Sequence, residues 1–291
     1  MKKDNFLLVD GNLLMFQSFY ASYNPYFQVL QNANGVTTNG IHVFFMTLFK
    51  LIKKVEPKYL FVAFDSPGDK TWRSQEFSEY KAGRQKAPEI IFEQFQWTKK
   101  ILSSLAIPWI EKKGDEADDL IATLSTHNEG TNNIIYSKDK DLLQLVNSNT
   151  SILKYDSFNH EYIQINHENF FDIFELEPSQ IPDFKGLSGD SSDNLKGVKG
   201  IGDKTAIKLL NKYHTLENIY DHIDELSASV KTKMLSEKPS AYMCKKLAIL
   251  NHNVDIPKIA SHYFLEIKKS AANDIFKELE LNVLTEKLQE L

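Results

Sequence analysis

Phe6-Leu7-Leu8-Val9-Asp10-Gly11 sets four apolar residues directly before a carboxylate and a glycine. The run is too short for a helix and reads as a buried strand with an acid at its carboxyl end. Tyr59 to Phe64 repeats the layout and ends on Asp65. Ile107 to Ile110 is a third strand candidate. It leads through Gly114-Asp115 into Glu116-Ala117-Asp118-Asp119, an acidic helix start followed by the apolar run Leu120-Ile121-Ala122-Thr123-Leu124. Asn133 to Tyr136 is a fourth strand, and Ser137-Lys138-Asp139-Lys140-Asp141 follows it. Helical patterns lie between: Leu13 to Tyr20, His42 to Val55, and Pro88-Glu89 to about Leu105. This alternation predicts an α/β fold with a central, mainly parallel sheet flanked by helices. Ligands of such sheets bind at the carboxyl ends of the strands, where Asp10, Asp65 and Asp139 lie.

Size and composition fit this reading. The chain has 291 residues with 19 Phe and 12 Tyr, ample for a buried core. One cysteine, Cys244, excludes an intrachain disulfide and a cysteine-based zinc site. No apolar run reaches membrane-spanning length, and the start shows no signal-peptide layout, so a cytoplasmic protein is expected. The net charge of -5 does not exclude a polyanionic substrate. Nine acids assigned below to one site leave 30 of the 39 against 34 basic residues, and the basic ones cluster.

Residues 66–88 change character. Lys70, Arg73, Lys81, Arg84 and Lys86 are interleaved with Trp72, Phe77 and Tyr80, and aliphatic residues are few. Such a stretch reads as a charged loop or a functional lid. Ile152 to Tyr155 and Tyr162 to Ile165 form a hairpin turning near Asn159-His160, and from about residue 166 the pattern is helical. Two regions are therefore expected: an α/β core over 1–165, and a helical region over 166–291 packed on it.

The acids carry the chemistry. Asp10, Asp65, Glu116, Asp118, Asp119, Asp139, Asp141, Asp190 and Asp193 form an all-oxygen set without His or Cys at ligand spacing. Oxygen donors suit Mg2+ or Mn2+ rather than zinc. Two such ions can activate a water and stabilise a leaving oxygen in phosphodiester hydrolysis, and they explain how so many carboxylates share one site. Gly186 to Asn194 is a turn-rich approach to Asp190 and Asp193. The segment Gly197-Val198-Lys199-Gly200-Ile201-Gly202-Asp203-Lys204-Thr205 departs from a P-loop by one inserted residue. It reads instead as a hairpin whose backbone N–H groups, at the start of a helix near Asp203, grip a phosphate. Lys196, Lys199, Lys204, Lys208 and Lys212 surround it and make a backbone-binding surface.

These segments, in this order, resemble the 5′-nuclease (flap endonuclease-like) family, and most closely the 5′→3′ exonuclease domain of bacterial DNA polymerase I. The anchors are Val9-Asp10-Gly11, Phe64-Asp65, Tyr80-Lys81-Ala82-Gly83-Arg84, Glu116-Ala117-Asp118-Asp119, Asp139-Lys140-Asp141, Gly189-Asp190-Ser191-Ser192-Asp193-Asn194 and Gly197 to Lys204. The resemblance implies a two-metal site of Mg2+ or Mn2+, a helical arch over about 66–105, and a helix-three-turn-helix over about 186–225. It implies that Asp10, Asp65, Glu116 and Asp118 serve one metal cluster. Asp119, Asp139, Asp141, Asp190 and Asp193 serve the second, with some sharing. Arg73, Lys81 and Arg84 would hold the scissile phosphate, and Tyr80 would stack on a base. Lys196, Gly197, Lys199, Gly200, Gly202, Lys204 and Thr205 would bind the duplex backbone, with a K+ ion at the hairpin. Two departures are Gln17, where polymerase-linked relatives carry Arg, and Lys196, where Pro is common.

The implied activity is metal-dependent 5′-nuclease cleavage of DNA with 5′ ends, nicks, flaps or RNA primers, by a monomer, with a DNA polymerase acting in trans if the chain stands alone. A metal-dependent ribonuclease and a non-catalytic DNA-binding module are the rival readings. One local expectation follows from geometry. Regular helix spacing would swing Asp118 away from Glu116, so Glu116 is expected at or before the N-cap, where all three acids can turn inward.

Overall fold

The computed structural model describes residues 3–291 apart from 25, 27, 28 and 69, the last of them within the expected arch. Six strands form one sheet: β1 (Asn5–Asp10), β2 (Tyr59–Asp65), β3 (Trp109–Lys112), β4 (Asn132–Tyr136), β5 (Thr150–Asp156) and β6 (Glu161–Ile165). Their order is β3-β2-β1-β4-β5-β6, parallel except for the β5–β6 hairpin. The third strand starts two residues later than the sequence suggested. Pro108, which has no N–H to give, precedes it and only accepts, from the Val62 amide.

The central strands are apolar on both faces because helices cover both. Leu7 and Val9 pack into one core with α1 (Gly11–Ser22), α2 (Asn39–Val55) and part of α4 (Ile90–Ser104). Between α2 and α4 lies the short α3 (Trp72–Glu76). Phe6 and Leu8 face the opposite core with α5 (Ala117–His127) and the 3-10 turn Asp141–Leu145. The alternation fixes the register: Asp10 pairs with Ala63, and Val9 with both Val62 and Tyr136. All the carboxyl ends of β1, β2 and β4 therefore open on one edge.

The helical region holds α6 (Phe170–Phe174), α7 (Ile181–Ser188), α8 (Asp203–Tyr213), α9 (Leu216–Asp221), α10 (Ala228–Ser236) and α11 (Lys238–Ala248). They share a core of Leu187, Val198, Ile201, Leu210 and Met234. The chain then returns to the sheet, and α12 (Asn273–Glu278) and α13 (Asn282–Gln289) bury Phe276, Leu284 and Leu288 against the first core. No helix of the described residues is long and apolar enough to cross a membrane.

A tight double turn joins α7 to α8. The Asp190 and Leu195 amides each donate to the other's carbonyl at 2.8 Å, and the Val198 amide donates to Leu187 at 2.8 Å. Gly189 and Gly197 have φ of 78° and 61°, and a Cβ on Gly197 would lie 2.3 Å from the Gly189 nitrogen. The turn suspends Asp190 and Asp193 over the sheet edge. Gly197→Ala is expected to cost about 3 kcal/mol in urea unfolding, from positive φ plus backbone collision. Gly202→Ala, with open space at its Cβ and ordinary φ, should stay within about 0.5 kcal/mol.

Candidate active site

At the sheet edge most of the acids are oriented by a second group. Asp10 caps α1 by accepting from the Leu13 amide at 2.9 Å, and its other oxygen accepts from the Ser137 hydroxyl at 2.9 Å. Ser137 in turn accepts from the Asp139 amide at 3.0 Å, so one hydroxyl ties the end of β1 to the loop after β4. Asp65 accepts from the Ala117 amide at 2.8 Å and from the Asn12 amide group at 2.6 Å. Lys185 on α7 pairs with both Asp141 and Asp190. Asn12, Ser137 and Lys185 were absent from the sequence-derived set. Asn12 stands beside Asp10-Gly11, but its amide reaches Asp65, 53 residues away.

The acidic helix start has the expected entry. Glu116 is the N-cap of α5, extended at φ −96° and ψ 160°, and Gly114 before it has φ 88°. Asp118 is half-buried on the sheet edge with Asp10 and Asp139 near it. Asp119 takes another direction. It is fully buried and accepts a bidentate pair from Arg73 at 2.7 and 2.8 Å, with the Glu116 amide at 3.1 Å and the Asn251 amide at 2.8 Å on its remaining positions. A carboxylate has about four acceptor sites, and these are all used. The expectation that Asp119 is a metal ligand is therefore corrected: its lone pairs face protein donors. Arg73 is corrected with it, since it is 2% exposed and offers nothing to a phosphate.

The stretch after α3 folds back onto the acids. The Tyr80 hydroxyl donates towards Glu116 at 3.1 Å and Asp193 at 3.2 Å, and its ring is buried. Burial and the two carboxylates hold its pKa far above that of a free phenol. The base-stacking expectation for Tyr80 is corrected for this arrangement, because neither ring face is open. Lys81 sits at φ 58°, a conformation that is strained for a side-chain-bearing residue. Its amide donates to the Asp193 carbonyl at 3.0 Å and its ammonium reaches Glu116 at 2.8 Å. Burial pulls the Lys81 pKa down, but Glu116 and Asp193 push it up further, and the net shift is upward. Arg84 donates to Asp193 at 2.8 Å with half its side chain in solvent.

A cleft of about 1140 Å³ opens beside these acids, with Arg84, Lys138, Asp139, Lys140, Lys185 and Asp190 on its walls. The hairpin lies further along α7 and α8. Lys196, Lys199, Gly200, Gly202, Lys204 and Lys208 are exposed there, Thr205 is half-buried, and Gly197 is buried in the double turn. Lys212 is engaged with Glu225 at 3.1 Å. The Lys233 ammonium donates to the Gly200 carbonyl at 3.0 Å, so a cation already sits on one hairpin carbonyl.

The donor set suits hard divalent cations in chemistry and charge. Asp10, Asp118 and Asp141 are all raised, first by burial and then by carboxylate neighbours that include Asp139, to about 7 for Asp10 and Asp141. Asp190 goes the other way, to about 2, because Lys185 outweighs its burial. The edge thus crowds more carboxylates together than Lys81 and Lys185 can offset, and Asp10, Asp118 and Asp141 hold their protons longer as a result. Among the described residues no group of three or more Asp, Glu, His or Cys side chains is arranged so that it could hold a metal ion.

A carboxyl whose folded pKa exceeds its unfolded value keeps its proton longer when folded. Folding then takes up protons between about pH 4 and 7, and stability from such groups falls as pH rises through that window. In EDTA, urea unfolding of the chain should therefore lose stability from pH 5 to 7.5. Asp10→Asn should flatten that slope and add on the order of 2 kcal/mol at pH 7.5. An unchanged slope in Asp10→Asn would contradict the crowding described here.

Residues 5–175 match the N-terminal resolvase-like domain of 5′-3′ exonucleases, and residues 176–271 match their C-terminal SAM fold. A 5′-3′ exonuclease of Mycoplasmopsis pulmonis is 39% identical over 283 residues, covering 96% of this chain and 91% of that protein. DNA polymerase I of Bacillus subtilis is 36% identical over 293 residues, which span 99% of this chain but 33% of the polymerase. Among solved structures, bacteriophage T5 5′-exonuclease with bound zinc shares the fold at a TM-score of 0.67, 19% identity and 98% coverage of both chains. With both halves of the chain matched and a relative this similar along nearly its whole length, the protein belongs to the 5′-3′ exonuclease family.

Proposed function

We propose that the chain is a divalent-metal-dependent 5′-nuclease that hydrolyses phosphodiesters in DNA bearing 5′ ends, nicks, flaps or RNA primers. One observation carries this reading: carboxylates, Asp10, Asp118 and Asp139 foremost, crowd a sheet edge whose neighbouring acids Glu116 and Asp193 carry Lys81 and Arg84. Asp10, Asp65, Glu116, Asp118, Asp139, Asp141, Asp190 and Asp193 are the residues that would hold two ions, Mg2+ or Mn2+. Such ions would supply an activated water and neutralise charge on the leaving oxygen. Lys81 and Arg84 are the cations nearest the acids that a phosphate could draw off, and they would stabilise charge that develops during cleavage. The exposed lysines about the hairpin would hold the duplex by its phosphates, without reading sequence. A polymerase acting in trans would be the natural source of flapped ends.

The test is cleavage of 5′-labelled flap duplexes, in matched DNA and RNA versions, with Mg2+ or EDTA. Cleavage of the DNA flap in Mg2+ alone is expected, and product length distinguishes exonuclease from flap cutting. Preference for the RNA flap would favour a ribonuclease instead. Asp139→Ala should abolish cleavage while leaving binding in place, and Lys81→Ala should lower kcat by about 100-fold or more. Binding should weaken steeply with salt, since each phosphate contact releases counterions, and a flat salt response would count against the lysine hairpin.

A further inference from the structure

Arg73 and Asp119 form an arrangement that neither a phosphate clamp nor a metal ligand requires. Arg73 has five N–H donors and uses all five. Nε donates to the Leu247 carbonyl at 2.8 Å. Nη1 serves Asp119 at 2.7 Å and Glu116 at 3.1 Å, and Nη2 serves Asp119 at 2.8 Å and the Ile249 carbonyl at 3.1 Å. Asp119 closes the network through the Glu116 and Asn251 amides. Three separate parts of the chain meet in this pair: α3 at the root of the arch, the N-cap of α5, and the last turn of α11 with the extended exit that follows it, residues 247–251. The Arg73 guanidinium also lies over the Trp72 ring, 4.5 Å from its centre, and the Trp72 amide donates to Gly114 at 3.1 Å.

We infer that Arg73 and Asp119 are positioning residues. They act as a buried lock that pins the arch root and fixes Glu116 at the rim of the carboxylate site, which leaves Lys81 and Arg84, of the three arch cations expected there, Arg73, Lys81 and Arg84, to meet the scissile phosphate. The Glu116 backbone is held by Asp119, and one of its side-chain oxygens is held by Arg73 and Tyr80. Its other oxygen carries Lys81. The lock thus sets which oxygen of Glu116 faces the site. The role of Glu116 in this inference rests on the metal-dependent reading proposed above.

The experiment measures Mn2+ binding by the paramagnetic signal of free Mn2+, with kcat and KM on the flap duplex, for Arg73→Lys, Asp119→Asn, their double variant, and Asp139→Asn. Groups that orient ligands from behind cost about 10- to 100-fold in affinity or activity when altered. Arg73→Lys and Asp119→Asn should each weaken Mn2+ binding by about tenfold with the number of sites unchanged, and the double should be no worse than either single. Lower kcat with KM within about twofold is expected in all three. Asp139→Asn should lose a site. Should Asp119→Asn lose a site as Asp139→Asn does, while Arg73→Lys keeps full affinity, Asp119 is a ligand and the inference fails.

Unfolding judges the lock independently of any metal. Arg73→Met and Asp119→Leu should each lower Tm by more than about 5 °C, because each strands a buried charge, and the apolar double variant should recover most of the loss. Additive losses in the double would overturn the lock. If wild type neither binds Mn2+ nor cleaves, the nuclease reading falls, and the lock stands or falls on this unfolding comparison.

Discussion

Carboxylates that share a desolvated edge repel one another, and each added acid makes its neighbours harder to ionise. That constraint organises the molecule. The parallel sheet brings Asp10 and Asp65 to adjacent strand ends, and the connections after β3 and β4 bring the other acids to the same edge. Most of these acids then have a partner that fixes their direction. Asn12 turns Asp65, Ser137 couples Asp10 to Asp139, and Lys185 bridges Asp141 and Asp190. Backbone amides serve the same end at low cost, since the amino ends of α1 and α5 supply N–H groups to Asp10 and Asp65. Crowding remains after these partners are counted, and it shows on Asp10, Asp118 and Asp141, which burial and their carboxylate neighbours make harder to ionise.

The sheet and its acidic edge were legible in the sequence for a simple reason. Parallel strands covered on both sides are short, continuous apolar runs, and the acid that ends each run marks the carboxyl end directly. The Glu116 cap was legible too, because i, i+2 residues diverge on a helix and only a non-helical Glu116 can face the same way as Asp118. Partner choice was not legible. Asp118 and Asp119 are adjacent and chemically alike, yet one borders the open edge and the other is consumed by Arg73, 46 residues earlier in the chain. No local pattern encodes that pairing. Tyr80 shows the same difficulty: among basic neighbours it looks like a base-stacking residue, but the turn that follows α3 buries its ring and spends its hydroxyl on two acids. Lys185 reads in isolation as an ordinary helix lysine, and only the return of α7 to the sheet edge shows which charges it offsets.

The arch therefore has two unlike ends. Its root is held by a saturated, buried pair whose separation would strand two charges, a cost of about 3–5 kcal/mol for breaking such a pair from one side. Its far side is held by Lys81 on Glu116 and Arg84 on Asp193, with Lys81 part-exposed and Arg84 half in water. The Arg84 pair, with its cation half in water, contributes about 1 kcal/mol or less. Lys81 also sits in a left-handed backbone conformation that only the local contacts sustain, including its amide bond to the Asp193 carbonyl. The asymmetry gives the arch a fixed hinge side and an exchangeable side. Under the proposed function the exchange would conserve charge: a phosphate would draw off Lys81 and Arg84, and Glu116 and Asp193, freed of those cations, would be among the residues that hold divalent ions. Neither group need then pass through an unpaired buried state. Under that reading the strain at Lys81 would favour release on the side where substrate arrives, and the Arg73–Asp119 lock would keep that movement from reaching the cap of α5.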